Sequence, residues 1–327
     1  SRDEILKKTG QTVGVDRASF EINEGEIFVL IGLSGSGKST LLRCINGLLR
    51  IDSGEMFVEE HAIHKMDEKQ LRVLRGKMMG MVFQHFAILP NRSVRENVAF
   101  GLELAGVDKQ ERFEKAQKTL ETVGLEAWGS KLPGELSGGM KQRVGLARAL
   151  CMDSSILLMD EPFSALDALI KAEMQEELIN LQQEIKKTIV FVTHDLDEAL
   201  RLGDKIAIMR DGVIEQLGTA EEILSNPAND YVENFLQGVD VSKILLAENI
   251  ARKPKETVTA TEGIMSVLRK IERATNDYLY VVAPDRKLRG IVYLDEVLEL
   301  RNKGEHSIAD AIKKVSTVDS SSPMQDI

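Results

Sequence analysis

Apolar residues along the chain follow two rhythms. Val13, Val15, Phe20 and Ile22 alternate with polar neighbours, and Phe20 has the look of a core strand residue. They then give way to the unbroken run Ile27-Phe28-Val29-Leu30-Ile31. A short apolar run bounded by turn residues predicts a strand buried on both faces. A glycine-rich turn follows at 32–37. From Lys38, Leu41, Leu42, Ile45 and Leu48-Leu49 recur at helical spacing, which predicts a helix ending near Gly47. Residues 54–58 and 78–83 predict two further strands. From about 92 to 150 the pattern is mainly helical, with a charged amphipathic run at 109–123. Residues 156–159 predict a buried strand, 167–187 a helix and 188–192 a β-branched strand. Strands at 206–209 and 213–216 flank Arg210-Asp211-Gly212, a hairpin turn. Strands alternating with helices predict an α/β fold carrying an inserted helical segment.

The tail follows a different order. Residues 258–261 predict a short strand, with Thr261 or a neighbour capping a helix over 262–273. Strands at 279–282 and 291–292 follow, then a helix from about Asp295. Composition supports a boundary near residue 240. From Asp240 onward lie 14 of the 42 basic and 14 of the 52 acidic residues, so the first 239 hold the whole excess of ten negative charges. That excess argues against a protein whose main task is gripping nucleic acid. The longest apolar runs are strand-sized, far below the roughly 20 residues a membrane-spanning helix needs. Two cysteines, Cys44 and Cys151, exclude a disulfide scaffold and point to a reducing compartment. Both fall on apolar helical patterns and are expected to be buried fillers. No signal peptide is visible, and the chain starts at Ser1 and stops in mid-pattern, so both ends are expected to be trimmed.

Three motifs carry chemistry. Gly32-Leu33-Ser34-Gly35-Ser36-Gly37-Lys38-Ser39 fits GxxxxGK[ST] between a predicted strand and a predicted helix, the context of a phosphate-binding loop. Its glycines let the backbone curl so that N–H groups face phosphate oxygens, and the helix start adds a favourable dipole. Lys38 can reach the β- and γ-phosphates, and Ser39 can ligate Mg²⁺. The second motif is the apolar strand that ends in Asp160-Glu161, at the sheet edge where ligands bind in such folds. Asp160 suits a Mg²⁺ ligand and Glu161 suits activation of water. Neighbours on an extended chain point to opposite sides, which predicts two separate jobs. The third is Ser137-Gly138-Gly139, before a helix with Val144, Leu146, Ala147 and Leu150. Ser137 is a candidate N-cap, and this helix start is a second anion site. One triphosphate does not need both sites, so each is expected to serve a different nucleotide in a head-to-tail pair of chains.

Leu136-Ser137-Gly138-Gly139-Met140-Lys141-Gln142-Arg143 resembles the signature loop of the ATP-binding cassette (ABC) ATPases. The family's other pieces stand in order around it. Gln84 resembles the glutamine that senses Mg²⁺ and the membrane partner. Ser164-Ala165-Leu166-Asp167 resembles the loop that crosses the dimer interface, and His194 the switch histidine that contacts the γ-phosphate. The resemblance covers about residues 10–235. Gln84-His85-Phe86-Ala87-Ile88-Leu89-Pro90 and Glu96-Asn97-Val98 look like the importer branch, and the whole is similar to ATPase subunits of osmoprotectant importers.

That resemblance implies a P-loop ATPase domain over 1–239 with a helical subdomain at about 92–150. It implies ATP and Mg²⁺ as cofactors, and a second copy of the chain and transmembrane permease subunits as partners. A substrate-binding domain is implied beside or fused to the permease, and no nucleic acid. Glu161, His194 and Gln84 would be catalytic. Gly32, Ser34, Gly35, Gly37, Lys38, Ser39, Thr40, Ser137, Gly138, Gly139 and Asp167 would hold nucleotide. Ser39, Gln84 and Asp160 would hold the metal. The chain would sit peripherally on the cytoplasmic face of the membrane and drive uptake of glycine betaine or a related quaternary amine. An amino-acid importer or a non-transport ABC ATPase is the alternative. The family's adenine-stacking aromatic has no counterpart in Thr9-Gly10-Gln11-Thr12-Val13, so adenine would be held by aliphatic contacts or by a residue upstream of Ser1.

The β-α-β-β-α tail, 240–327, resembles an α+β CBS module, with residues 308–312 and 316–327 as the start of a truncated second copy. Where nucleotide-binding modules carry Ser or Thr and then an acid, this chain has Tyr293 and Glu296. Scaffold, dimer contact, ionic-strength sensing and nucleotide binding stay open for it.

Overall fold

The computed structural model describes residues 2–84, 86–237, 247, 251, 253–274, 276–320 and 322; side chains at 2–4 and 183–185 are left aside. His85, Asp240 and residues 323–327, on which parts of the importer pattern, the boundary and the second module fall, lie outside the described residues. The chain divides into two compact units, Ser1–Val239 and Asp240–Ile327.

The first unit is built on a six-stranded sheet. Its strands are β1 (Ile27–Ile31), β4 (Met79–Phe83), β5 (Ile156–Asp160), β6 (Thr188–Thr193), β7 (Lys205–Arg210) and β8 (Val213–Gly218), in the order β4-β5-β6-β1-β7-β8. All neighbours are parallel except the β7–β8 hairpin. Every residue of β1 is buried, as expected of a central parallel strand covered on both faces. Phe28 and Leu30 meet Leu41 and Leu42 of helix α2 (Lys38–Ile45), together with Leu158, Val190 and Val192.

The two-residue turn Asp211-Gly212 has φ of 49° and 78°, the left-handed pair that matches the twist of a hairpin. Phe20 stacks on Phe28 with ring centroids 4.9 Å apart. It is thus a core residue but not a strand residue, because 11–26 forms no regular ladder. The strand expected at 54–58 shrinks to β2 (Phe57–Val58), paired only with β3 (His61–Ala62). Val58 caps a small satellite core with Ile63, Leu71 and Leu74 instead of joining the main sheet.

The helical insert comprises α4 (Val94–Val98), α5 (Phe100–Leu104), α6 (Lys109–Thr122) and α7 (Gly138–Cys151). Val94, Val98, Leu102, Ala116, Leu120 and Val144 form its own core. A capping box, Ser93 with Glu96, starts α4. Helices α8 (Ala168–Ile185) and α9 (Leu196–Leu202) flank β6, and α1 (Arg2–Thr9), α3 (Glu68–Met78), α10 (Ala220–Ser225) and α11 (Asp230–Leu236) are the unit's other described α-helices besides α2. Both cysteines are buried.

The second unit holds β9 (Thr257–Val258), α12 (Ile264–Arg273), β10 (Tyr278–Val282), β11 (Leu288–Tyr293) and α13 (Leu294–Asn302), with the sheet order β11-β10-β9. Gly263, not Thr261, is the N-cap of α12 and, lacking a side chain, makes no side-chain cap, while the Thr261 hydroxyl lies 3.3 Å from that of Thr259. Of residues 308–312, expected to begin a second module, Ile308, Ala311 and Ile312 pack on this unit's core. Ile308 is fully buried in this unit's core with Val267, Val281 and Val297, and Lys313 bridges Ile291 of β11. The apolar side chains of this stretch pack with those of α12 and α13.

Candidate functional site

Strand register brings the predicted residues to one sheet edge. Phe83 pairs with Asp160, Asp160 with Val192, and Ile31 with Thr193. Gln84, Glu161, His194 and Gly32 each follow one of these strand ends, the edge where a parallel sheet receives its ligand.

The loop after β1 wraps Lys38, which is buried. Its ammonium donates to Gly32 O at 2.8 Å, Leu33 O at 3.0 Å and Ser36 Oγ at 3.5 Å. Burial lowers the Lys38 pKa, against the opposing pull of Glu161 and Asp160. The loop's shape is enforced from below. Gly212 N donates to Ser36 O and Asp16 N to Gly212 O, so the β7–β8 turn braces it. Gly37, at φ 102°, is the residue before α2, and a Cβ there would lie 2.4 Å from Gly14 O. Ser34 and Gly35 are exposed on the loop's outer side, and Thr40 lies in the first turn of α2.

Ser39 Oγ donates to Asp160 Oδ1 at 2.9 Å. A hydroxyl and a carboxylate held together at the mouth of a phosphate loop are the hard oxygen donors that Mg²⁺ takes, usually alongside substrate phosphates and water. These two residues fit the metal and would hold it. Gln84 is exposed at the same edge.

Glu161 departs from the expected extended geometry. Its φ is 47°, a left-handed conformation rare for a side chain larger than glycine or asparagine. Its backbone N–H donates to Val192 O and its carbonyl accepts from Ser164 Oγ at 2.9 Å, and these anchors hold the strained turn. The carboxylate meets His194, with Nδ1 3.0 Å from Oε2. An ionised Glu161 can only accept, so Nδ1 carries the proton in this pair. The separation of Asp160 and Glu161 therefore comes from this turn, not from strand alternation.

Ser137-Gly138-Gly139 makes its contacts elsewhere. Ser137 caps α7, accepting from Met140 N at 3.3 Å. A Cβ on Gly138 would meet Leu166, and one on Gly139 would meet Ile170. Asp167 caps α8, accepting from Ile170 N at 3.1 Å. The structure thus joins Lys38, Ser39, Asp160, Glu161 and His194 in one cluster, and packs the Ser137 loop on the 164–170 segment.

Sequence reasoning passed over Arg148. It donates to Ala87 O at 2.6 Å and Phe86 O at 3.1 Å, pinning two left-handed residues just after Gln84. Asn97 is wholly buried; it accepts from Leu89 N and donates to the carbonyls of Leu89, Arg92 and Ser93. Lys171 was also unmarked, though it pairs with Asp195 at 2.5 Å and Glu198 at 2.8 Å beside His194. The signal for Arg148 was a cation within the apolar second half of α7, Val144–Cys151.

Comparison with known proteins agrees with this geometry. Residues 15–164 match the family model described as ABC transporter. The chain is 47% identical over its full length to the glycine betaine/carnitine transport ATP-binding protein GbuA of Listeria monocytogenes, covering 83% of that protein. It is 52% identical, over 90% of its length and 71% of the relative's, to the glycine betaine transport ATP-binding protein OpuAA of Bacillus subtilis. Among solved structures, a dimeric post-hydrolysis ATP-binding cassette bound to ADP and Pi superposes with a TM-score of 0.58 at 34% identity, covering 63% of this chain and 90% of that one. The chain belongs to the ATP-binding proteins of ABC transporters, ATPases that use ATP and Mg²⁺.

Proposed function

We propose that the chain powers uptake of glycine betaine or a related quaternary-amine osmolyte, as paired copies beneath permease subunits on the cytoplasmic face of the membrane, working with a substrate-binding domain. The observation that carries the catalytic part is the cluster in which Ser39 meets Asp160 and His194 meets Glu161. The cargo rests on the names of the relatives. Among the described residues no helix is long and apolar enough to cross a membrane, which accords with a subunit that acts through partners.

In this reading Lys38 exchanges its contacts with the loop's own carbonyls for phosphate oxygens. The braced loop then supplies amides without reorganisation, the source of most stabilisation in phosphoryl transfer. Ser39 and Asp160 would hold Mg²⁺, which would supply positive charge beside the phosphates. Glu161 orients and deprotonates the attacking water, and His194, held by Glu161, faces the γ-phosphate. Ser137-Gly138-Gly139 of one copy closes over the nucleotide of the other, with Asp167 and Gln84 at the rim. The second unit is read as a CBS-like regulatory module. Tyr293 and Glu296 are both engaged by Lys313, which supports a structural or salt-responsive role over a nucleotide site.

The test is Glu161→Gln. The variant is expected to bind MgATP with unchanged affinity, accumulate as a closed dimer on cross-linking, and hydrolyse about 10²-fold more slowly or worse. Undiminished hydrolysis overturns the role of Glu161. For the cargo, ATPase activity of the complex with its permease is expected to rise on adding glycine betaine and not on adding an unrelated amino acid.

A further inference from the structure

Lys171 lies one turn inside α8, the helix that Asp167 caps, and reaches across to the start of α9. Its ammonium is 2.5 Å from Asp195 Oδ2 and 2.8 Å from Glu198 Oε1. Glu198 is buried, with a side chain only 4% exposed, and its other oxygen accepts from the Thr193 hydroxyl. Gln175, from the next turn of α8, adds a longer contact of 3.4 Å. Asp195 is also the N-cap of α9, accepting from the N–H groups of Asp197 and Glu198, and its own N–H donates to Thr193 Oγ1. His194 stands between Thr193 and Asp195, so both its chain neighbours belong to this one network.

The loop that leads into α8 connects to Glu161 from the other side, since Ser164 Oγ donates to the Glu161 carbonyl. A cavity of about 80 Å³ separates the two routes, lined by Glu161, Ser164, Lys171, His194, Asp195 and Glu198. Phe163, Leu166 and Thr193 complete its lining. The Lys171 ion pairs, with the longer Gln175 contact, tie α8 to the segment that carries His194.

We propose that Lys171 is a positioning residue for ATP hydrolysis: by gripping Asp195 and Glu198 it fixes the backbone that carries His194 to the helix that begins at Asp167. Movement of the 164–167 segment then reaches His194 through α8, and the histidine's register against Glu161 depends on the grip. A buried, paired carboxylate suits this task, because a Glu198 drawn away from Lys171 would be left without a counter-charge and the network moves as one body. The inference rests on the catalytic reading of Glu161 and His194 given above.

The test compares Lys171→Met, Lys171→Arg and His194→Ala in the full chain, by single-turnover hydrolysis, fluorescent-nucleotide binding and thermal melting. Lys171→Met is expected to slow hydrolysis about tenfold or more with nucleotide affinity within about twofold, and Lys171→Arg to recover the rate within about threefold. In a His194→Ala background, adding Lys171→Met should cost less than about twofold, because both act through one group. Should Lys171→Met fail to fold, the charge-balanced Lys171→Met/Glu198→Gln variant carries the same comparison. Unchanged hydrolysis in Lys171→Met, no rescue by arginine, or losses that multiply with His194→Ala overturn the proposal. Undiminished hydrolysis in His194→Ala alone would instead remove the catalytic reading beneath it.

Discussion

Gly139 packs so closely on Ile170 that a Cβ at residue 139 would stand 2.5 Å from Ile170 Cγ2. The first residue of that pair belongs to the serine-glycine loop and the second to the opening turn of α8, three residues after Asp167. Two segments that the chain keeps apart thus share one contact, with no spare room at it. Gly139→Ala is expected to push Ile170 aside and impair hydrolysis while leaving the fold intact. Because the obstruction is a side chain and not backbone, Ile170→Ala should restore activity in the double variant. Steady-state ATPase measurements on the four-member cycle check this, and the expected signature is a coupling energy of about 1 kcal/mol or more.

Gly37 presents the opposite case. Its φ is 102° and its missing Cβ would meet a carbonyl, Gly14 O, at 2.4 Å. No side-chain rotation relieves that, so Gly37→Ala should cost about 1–3 kcal/mol from backbone strain alone. A lowered denaturation midpoint and loss of nucleotide binding together are the expected outcome.

Lys38 answers to two sets of partners. In the free protein its ammonium satisfies Gly32 O and Leu33 O. Lys38→Met leaves both carbonyls without that donor, at about 1–3 kcal/mol for a buried acceptor left unmet. The variant should therefore lose stability before any nucleotide is added, and should lose ATP affinity as well. Thermal melts with and without MgATP separate the two effects: the melting temperature should start lower and rise less on ligand addition.

The Lys171–Asp195 pair sets a pH window. For Lys171, burial opposes the charge, but hydrogen bonds to Asp195 and Glu198 outweigh it and raise the pKa. For Asp195, burial also opposes the charge, and Lys171 and the α9 amides outweigh it and lower the pKa. A lowered aspartate contributes stability above its unfolded value of roughly 3.9, lost as pH falls through the folded value. A raised lysine contributes below roughly 10.4, lost as pH rises through the folded value. The stability difference between wild type and Lys171→Met should thus be flat from about pH 5 to 9 and shrink at both extremes. Urea midpoints across pH measure it.

The phosphate loop, the Asp160-Glu161 strand end and the Ser137 helix cap were legible because each is a local pattern of a few residues whose backbone rules act within one turn or strand. The fully apolar β1 likewise announced a central parallel strand, since only burial on both faces tolerates such a run. What failed were segments whose fate depends on distant packing. Residues 54–58 lost strand length to a satellite core, and nothing local to residues 308–312 announces that Ile308 packs with Val267, Val281 and Val297.

The amino-acid sequence by itself determined which residues could bind phosphate, hold Mg²⁺ and activate water, and where most helices and strands begin. Only the tertiary structure decided how those residues meet. Ser39 and Asp160 are 121 positions apart, and Glu161 and His194 are 33 apart; strand order and register bring each pair within hydrogen-bond reach. The left-handed turn at Glu161 and the grip of Lys171 on α9 belong to the same class. The physical reason is range. Helical and strand periodicity act over neighbouring residues, whereas an ion pair, a strained turn or a glycine contact is settled by whatever the completed fold lays against it.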